Sequence, residues 1–225
     1  MKIATWNIGE DERNKDRKLN LSSYEYIVNT IKNEEIDIIC LQEAITDSKD
    51  LPSIAKYIKE NTNLHFIVEF ELSDSHINIG SKMGVAICSK YEIEKYTFLK
   101  LENPELTYKE SENKTYFSHD KGFIMAKIND CILATGHCLP FHIFKKSPLD
   151  YLDIYEKIEK EFLVALKENN SFILCGDFNY ENVSDLFPVI MQNCIDLIDC
   201  PTRKEKQLDH FIISKNLECT SKNIQ

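Results

Sequence analysis

Several short stretches of this chain are almost wholly apolar: Ile36 to Leu41, Met83 to Cys88, Cys131 to Gly136 and Phe172 to Cys175. Runs of this length bounded by turn residues predict strands covered on both faces. Lys2 to Trp6 and Leu64 to Leu72 alternate instead, as strands with one wetter face do. Ile93 to Leu99, Thr115 to Ser118 and Gly122 to Ile128 predict consecutive antiparallel strands, with Glu102 to Lys114 as a polar loop. Ile195 to Ile198 and Gln207 to Ser214 predict two late strands.

Helical spacing is confined to a few segments. Ser22 followed by Glu25 reads as a capping box, and Tyr26, Ile27, Thr30 and Ile31 continue a helix to about Asn33. Asp50 and Pro52 precede Ile54, Tyr57 and Ile58, which predict a second helix. Ser147-Pro148 opens a third, whose stripe of Leu152, Tyr155, Phe162 and Leu166 runs to about Asn169; a short one follows from Ser184. Strand, crossover helix, strand is the pattern of a layered α/β protein. Strands outnumber helices and fall into two sets, which predicts two packed mixed sheets with helices outside. No linker, repeat or low-complexity run interrupts residues 1–225, so one domain is expected.

The polar residues at the strand ends change this picture from architecture to chemistry. Asn7, Glu43, His137, Asp177, Asn179 and Asp209 each lie at or just past the end of a predicted apolar strand, where active-site residues collect on a rigid scaffold. After Phe172 to Cys175, Gly176 frees the backbone to turn and presents Asp177 and Asn179 side by side. Each residue also has a plain reading. Asn7, Asp177 and Asn179 are ordinary turn formers, and His137 fits a core histidine with satisfied nitrogens. Glu43 directly after an apolar strand must be solvated, paired or bound to metal, and Asp209 needs a partner for the same reason. Together these types suit phosphate chemistry. A carboxylate holds Mg²⁺ through oxygen while the ion keeps waters and binds substrate phosphate, histidine bonds the phosphate, and an Asp with an Asn orients the attacking water. Zinc spacing, a P-loop and a G-x-S-x-G elbow are all missing from the sequence.

Charge and cysteine usage narrow the partners. With 27 Lys and Arg against 37 Asp and Glu, the net charge of −10 argues against tight, non-specific capture of nucleic acid, though not against a local basic groove. Lys121, Lys145 and Lys146 near the expected site either form such a groove or, by default, are solvated. Cys40, Cys88, Cys131 and Cys175 sit in apolar runs as small hydrophobes. Met1 to Gly9 is too short and polar for a signal segment, and no apolar run approaches the roughly 18 residues of a membrane span. A reduced, cytoplasmic monomer without a membrane span is the expectation.

Thr5-Trp6-Asn7, Leu41-Gln42-Glu43, Gly84 to Ile87, Gly136-His137, Gly176-Asp177-Phe178-Asn179 and Leu208-Asp209-His210-Phe211 occur in an order and spacing that resembles the endonuclease/exonuclease/phosphatase superfamily. This group contains DNase I, exonuclease III-type enzymes, sphingomyelinases and inositol-polyphosphate 5-phosphatases, and the likeness runs from Lys2 to Ser214. It implies a DNase I-like four-layer α/β/β/α sandwich and Mg²⁺-dependent phosphoesterase activity, with Mn²⁺ as a substitute. Asn7 and Glu43 would place the metal. His137 would contact the scissile phosphate, Asp177 would activate water, and Asn179 would bind phosphate or metal. The implied partner is a phosphate ester, with nucleic acid among the candidates. The alternatives are a phosphatase for small-molecule or lipid esters and a catalytically impaired binding domain.

The departures from the family's pattern are specific. Phe211 to Ser214 match its penultimate strand, so Asp209 would be the carboxylate that orients a terminal histidine, with His210 in the place of a Tyr. The family's final Ser-Asp-His is missing up to Gln225. Either the chain continues, or this member works without that histidine and lacks the final strand, leaving a sheet edge open. No Glu on Met83 to Cys88 stands ready to orient His137. Gly9 occupies a place where some relatives carry a metal-binding Asp, and Glu10 beside it reads as an exposed loop carboxylate.

Overall fold

The structure, a computed structural model, describes residues 1–112, 114–169 and 171–219. Its first sheet grows from the N-terminal strand. β1 (Ile3–Asn7) lies parallel to β2 (Ile38–Asp47), and α1 (Leu21–Asn33) crosses between them. Tyr24, Ile27, Val28 and Ile31 recur at helical spacing and turn one stripe of α1 onto the sheet. The helix is capped earlier than its sequence suggests. Asn20 rather than Ser22 is the N-cap, and its side chain accepts from the Ser23 amide while the Ser23 hydroxyl accepts from the Asn20 amide. Asn caps as well as Ser, and starting at Leu21 lets the helix bury Ser23.

α2 (Ile54–Asn61), capped by Ser53, leads to β3 (Phe66–Asp74), and β4 (Lys82–Ser89) inserts antiparallel between β2 and β3. The order of the first sheet is β1-β2-β4-β3. The second sheet contains β5 (Ile93–Lys100), β8 (Gly122–Ile128), β9 (Cys131–His137), β10 (Phe172–Asp177), β11 (Cys194–Asp196) and β12 (Asp209–Ser214), in the order β11-β12-β10-β9-β8-β5. β9 and β10 are parallel, joined through α3 (Leu152–Asn169), and the other pairs are antiparallel. Two short helices, α4 (Val183–Leu186) and α5 (Ile190–Asn193), precede β11.

One prediction fails in part. Residues 102–114 contain a strand, β6 (Thr107–Ser111), which pairs with β7 (Lys114–Phe117) as a separate hairpin instead of leaving β7 in the main sheet. The cross-strand stack of Tyr108 on Tyr116, 6.5 Å between rings, holds it.

The buried residues form three clusters that fix the layering. One lies between α1, α2 and the first sheet, one between the two sheets, and one between the second sheet and α3. Helix, sheet, sheet, helix is the four-layer sandwich the sequence predicts. The third cluster is the most aromatic. Phe123, Phe162, Phe172, Phe178 and Phe187 are fully enclosed, each contributing roughly 1.5 to 3 kcal/mol over exposure.

Strand direction then positions the polar residues. β1, β2, β9 and β10 deliver their C-terminal ends, and antiparallel β12 its start, to one edge of the sandwich. Asn7, His137, Asp177 and Asp209 stand at these strand ends, while Glu43 lies inside β2 where its pairing with β4 slips.

Candidate active site

Asn7 is where the two sheets meet at this edge. Its Nδ2 donates to Asp177 Oδ2 at 2.9 Å and reaches Glu43 Oε1 at 3.5 Å, while its Oδ1 accepts from the Gly9 amide at 3.1 Å. Glu43 and Asp177, 134 residues apart in sequence, therefore share one amide. Glu43 is aimed by a break in the ladder. The register of β2 on β4 slips between Gln42 and Ala44, and Glu43 takes a left-handed backbone, φ 52°. Its carboxylate then lies against Gly9, where a Cβ would sit 1.9 Å from Oε2. Glu10 turns away into an ion pair with Arg17.

Gln42, next to Glu43, is fully buried and faces the other way. Its amide donates to Thr5 Oγ1 and Thr135 Oγ1, each at 3.0 Å, tying β1 and β2 to β9 across the sandwich.

The turn after β10 is built around two constraints. Gly176 has φ 138° and lies so close to Gly136 that a Cβ would be 2.1 Å from its carbonyl oxygen. Phe178 plugs into the aromatic cluster beside Phe123 and Phe187, and so pins the loop between two polar residues. Asn179 adopts φ 52° and donates its backbone N–H to Asp177 Oδ1 at 2.9 Å. Its side chain donates to the Cys138 carbonyl at 3.1 Å and lies 3.0 Å from His137 Nε2.

His137 is buried, with Nε2 3.7 Å from Glu43 Oε1 and 3.8 Å from Asp177 Oδ2. No glutamate lies on β4; Lys121 stands against the ring instead, with Nζ 2.9 Å from Nδ1 and 3.4 Å from Nε2. Lys121 is not a solvated lysine. It is 6% exposed, because it precedes a strand buried on both faces and Gly122 pairs directly with His137. Burial lowers its pKa, against the pull of the Glu43 and Asp177 carboxylates. Burial, with help from the Lys121 charge and His76, pushes His137 well below its usual range and keeps the ring neutral. Lys145 and Lys146 are exposed, and Lys145 Nζ stands 4.6 Å above the Tyr108 ring.

Asp209 is half-buried and is the cross-strand partner of Asp177. Burial, then Asp209, then Glu43 push Asp177 up to about 6, against the hydrogen bonds from Asn7 and Asn179. Burial raises Asp209 as well. His210 has no part in this cluster. It is fully buried, with Nδ1 2.6 Å from Asp196 Oδ2 and Nε2 2.8 Å from the Tyr180 carbonyl oxygen. Both partners are acceptors, so neither nitrogen is left to serve the site.

All six residues singled out from the sequence thus converge. Sequence reasoning placed Lys121 near the site but read it by default as solvated, where the structure buries it, and it missed the fastening roles of Gln42 and Asp196. A cleft of about 790 Å³ lies at the opposite strand ends, lined by Lys32, Asp37, His65 and Lys90 among others, and holds none of the six.

The sequence profile described as Endonuclease/Exonuclease/phosphatase family matches residues 4–218. The chain belongs to that family. Its members are hydrolases acting on phosphoesters, and they generally use divalent metal ions. No curated protein matches the sequence. Among solved structures, the chain is similar to a mannosyl-6-phosphatase of Bacteroides thetaiotaomicron VPI-5482 (TM-score 0.61, 14% identity, 95% of this chain and 85% of that one). It is similar to an endonuclease/exonuclease/phosphatase family protein of Leptotrichia buccalis (0.56, 19%, 97% and 89%). The catalytic domain of human nocturnin is also similar (0.57, 14%, 93% and 81%). At these identities the likeness shows the fold.

The donor set of this endonuclease/exonuclease/phosphatase family member fits a hard cation. Among the described residues no three His, Cys, Asp or Glu side chains close a metal cage on their own. Mg²⁺ does not ask for one, since it binds through one or two carboxylates and completes its shell with waters and phosphate. Asp177 is raised partly by two neighbouring carboxylates, a crowding that a divalent ion would relieve. No helix among the described residues is long and apolar enough to cross a membrane.

Proposed function

We propose that this chain is a Mg²⁺-dependent phosphoesterase that hydrolyses a phosphodiester by in-line attack of water. The observation that carries the reading is the Asn7 amide bonded to Asp177 Oδ2 at 2.9 Å and within 3.5 Å of Glu43 Oε1, with His137 less than 4 Å from both carboxylates. Glu43 and Asn7 would hold the metal, Asn7 through Oδ1 once its amide, which here turns Nδ2 to the carboxylates and Oδ1 to the Gly9 amide, reverses; Mn²⁺ would replace Mg²⁺. When bound, the ion offsets the charge that builds on the phosphorus oxygens.

The chain's own residues do the rest. Asp177, pushed up to about 6, is ionised at neutral pH yet basic enough to take a proton from water. Its neighbour Asp209 contributes to that basicity by repulsion. Neutral His137 and Asn179 face the phosphate as uncharged donors, and burial of the site strengthens each hydrogen bond. The choice of a diester rests on charge. One buried ammonium, Lys121, faces the carboxylates of Glu43 and Asp177; with one metal ion this suits a monoanionic diester better than a dianionic monoester.

The test is a panel assay with Mg²⁺ and Mn²⁺ against bis(p-nitrophenyl) phosphate, p-nitrophenyl phosphate, RNA, plasmid DNA and an abasic duplex. The expected result is metal-dependent hydrolysis of diesters that falls to background in Asp177→Ala at unchanged folding. Activity retained in that variant, or confined to the monoester, would refute the assignment. Binding that falls steeply with salt would point to nucleic acid, and a shallow slope to a small ester.

A further inference from the structure

Each sheet has an edge on the same side of the sandwich: β3 ends the first and β5 the second, and Phe70 of β3 meets Phe98 of β5 there. No other described strand pairs with the outer side of β5. The backbone groups it offers there follow from its inner side. Leu101 N–H donates to the Lys121 carbonyl at 2.9 Å, which continues the pairing of Lys100 with Gly122. Backbone groups alternate in direction along an antiparallel strand, so those of Leu99 and Thr97 also face β8. The N–H and C=O groups of Tyr96, Phe98 and Lys100 face outward.

A row of unpaired groups is a template for another strand. A bulge and charges guard the start of β5 at Glu94 and Lys95, and Lys100 guards its end, but the span between them carries aromatics. Tyr96 is 53% exposed and Phe98 42%. Phe98 stacks on Phe70 at 4.5 Å, and Tyr96 lies 5.3 Å from Phe98, so a line of rings runs from between the sheets to the open edge.

The strand that fits this edge is β5 itself. Thr97 stands midway between Tyr96 and Phe98, between Lys95 and Leu99, and between Glu94 and Lys100. An antiparallel copy related by a two-fold axis through Thr97 therefore sets Tyr96 opposite Phe98, ring beside ring, with the outward backbone groups of each meeting the other's. The glutamate end of one copy falls on the lysine end of the other, so no two like charges face each other. Thr97 alone meets its own counterpart. β3 has no such symmetry, because Glu69 and Glu71 flank its centre and would set acid against acid.

We propose that two copies of this chain join along β5, antiparallel about Thr97, so that their six-stranded sheets become one continuous sheet. The proposal is independent of the phosphoesterase reading and replaces the monomer expected from the sequence. One strand and a few rings from each copy make a contact smaller than a standard interface, so the dimer is weak and forms with concentration.

Sedimentation equilibrium from about 1 μM to 1 mM should show the wild type passing from monomer to dimer. Thr97 reads the register. Its backbone faces β8, so across the axis it forms a non-hydrogen-bonded pair, in which side chains come closest, and it is exposed. Thr97→Lys and Thr97→Glu should each stay monomeric at every concentration with an unchanged circular dichroism spectrum, while their equimolar mixture should dimerise at least as well as the wild type. In the wild type, hydrogen exchange of the Tyr96 and Phe98 amides should slow by about tenfold as the dimer fills. A wild type that remains monomeric throughout would overturn the proposal. So would a dimer that Thr97→Lys leaves intact, or a mixture of the two variants that does not associate. If the Thr97 variants do not fold, the wild-type exchange decides, and Tyr96 and Phe98 amides indifferent to concentration would sink the idea.

Discussion

Asp177, the last residue of β10, and Asp209, the first of β12, stand on directly paired backbone positions where the sheet opens onto the candidate site. Direct cross-strand partners lie close enough for like charges to destabilise the pair. Burial first, and the Asp209 charge after it, push Asp177 up to about 6 in the folded state against 3.8 for an ordinary Asp. Between those values the folded state holds a proton that the unfolded chain has released. Stability therefore decreases as pH rises from 3.8 to 6 and stays reduced above.

A carboxylate kept for chemistry at the expense of stability has a measurable signature. Two pKa units correspond to about 3 kcal/mol, so Asp177→Asn should gain up to that amount above pH 6, less about 1 kcal/mol for a weakened hydrogen bond to Asn7 or Asn179. The gain should vanish below pH 4, and hydrolysis should be lost throughout. Urea unfolding at pH 4 and 7.5 with chelator present checks the sign. A variant less stable than wild type at pH 7.5 would show that Asp177 serves folding.

Gly9 is the second lever on the site. A Cβ there would sit 1.9 Å from Glu43 Oε2 and 2.7 Å from Glu43 Cβ, so the side chain must shift as a whole and not merely swing its tip. Gly9→Ala should leave the melting temperature within a few degrees, because it alters only a loop. It should raise the Mg²⁺ concentration needed for half-maximal hydrolysis by about tenfold. Unchanged Mg²⁺ activation would separate Glu43 from the metal.

The layers of this fold were legible because buried strands announce themselves. Ile38 to Leu41 and Phe172 to Cys175 are apolar without interruption and end in polar residues, and the direction of the strands then gathers those residues at one edge. The hairpin of β6 and β7 was hidden because only Tyr108 and Tyr116 turn inward among exposed charges and hydroxyls. The cap of α1 was misplaced because Asn20 and Ser22 are equally good caps, and only burial of Ser23 chooses between them. Lys121 was illegible for a different reason. A lysine before a strand reads the same whether water or a histidine receives it, and the histidine here comes 16 residues later, on the neighbouring strand.

Gln42 was visible in its motif, but its task was not. With Thr5 on one sheet and Thr135 on the other, its amide is a polar fastener inside an apolar layer. Gln42→Leu leaves the buried Thr135 hydroxyl and the half-buried Thr5 hydroxyl without that partner, the buried one a loss of about 1 to 3 kcal/mol. The variant should therefore unfold at lower denaturant by about 1 to 3 kcal/mol, with metal-dependent activity per folded molecule reduced far less than in Asp177→Ala. A fully folded, inactive Gln42→Leu would place Gln42 in the chemistry.

His210 offers the sharpest contrast between a histidine beside a site and one inside it. It follows Asp209 directly, yet its ring is spent on Asp196 and on the Tyr180 carbonyl, and Gln207 braces the same Asp196 oxygen at 2.9 Å. The clamp joins β11, β12 and the turn that carries Asn179. Removing the ring strands a half-buried carboxylate and a carbonyl and opens a void beside Phe178. His210→Ala should thus cost about 3 kcal/mol or more, and loosening the turn should weaken hydrolysis by lowering the population of correctly placed Asn179. The shape of the pH profile should not change, because His210 exchanges no proton with substrate. Unfolding curves and pH profiles on the same samples decide it. A stable His210→Ala protein that has lost one limb of its profile would make His210 the catalytic histidine and His137 the structural one.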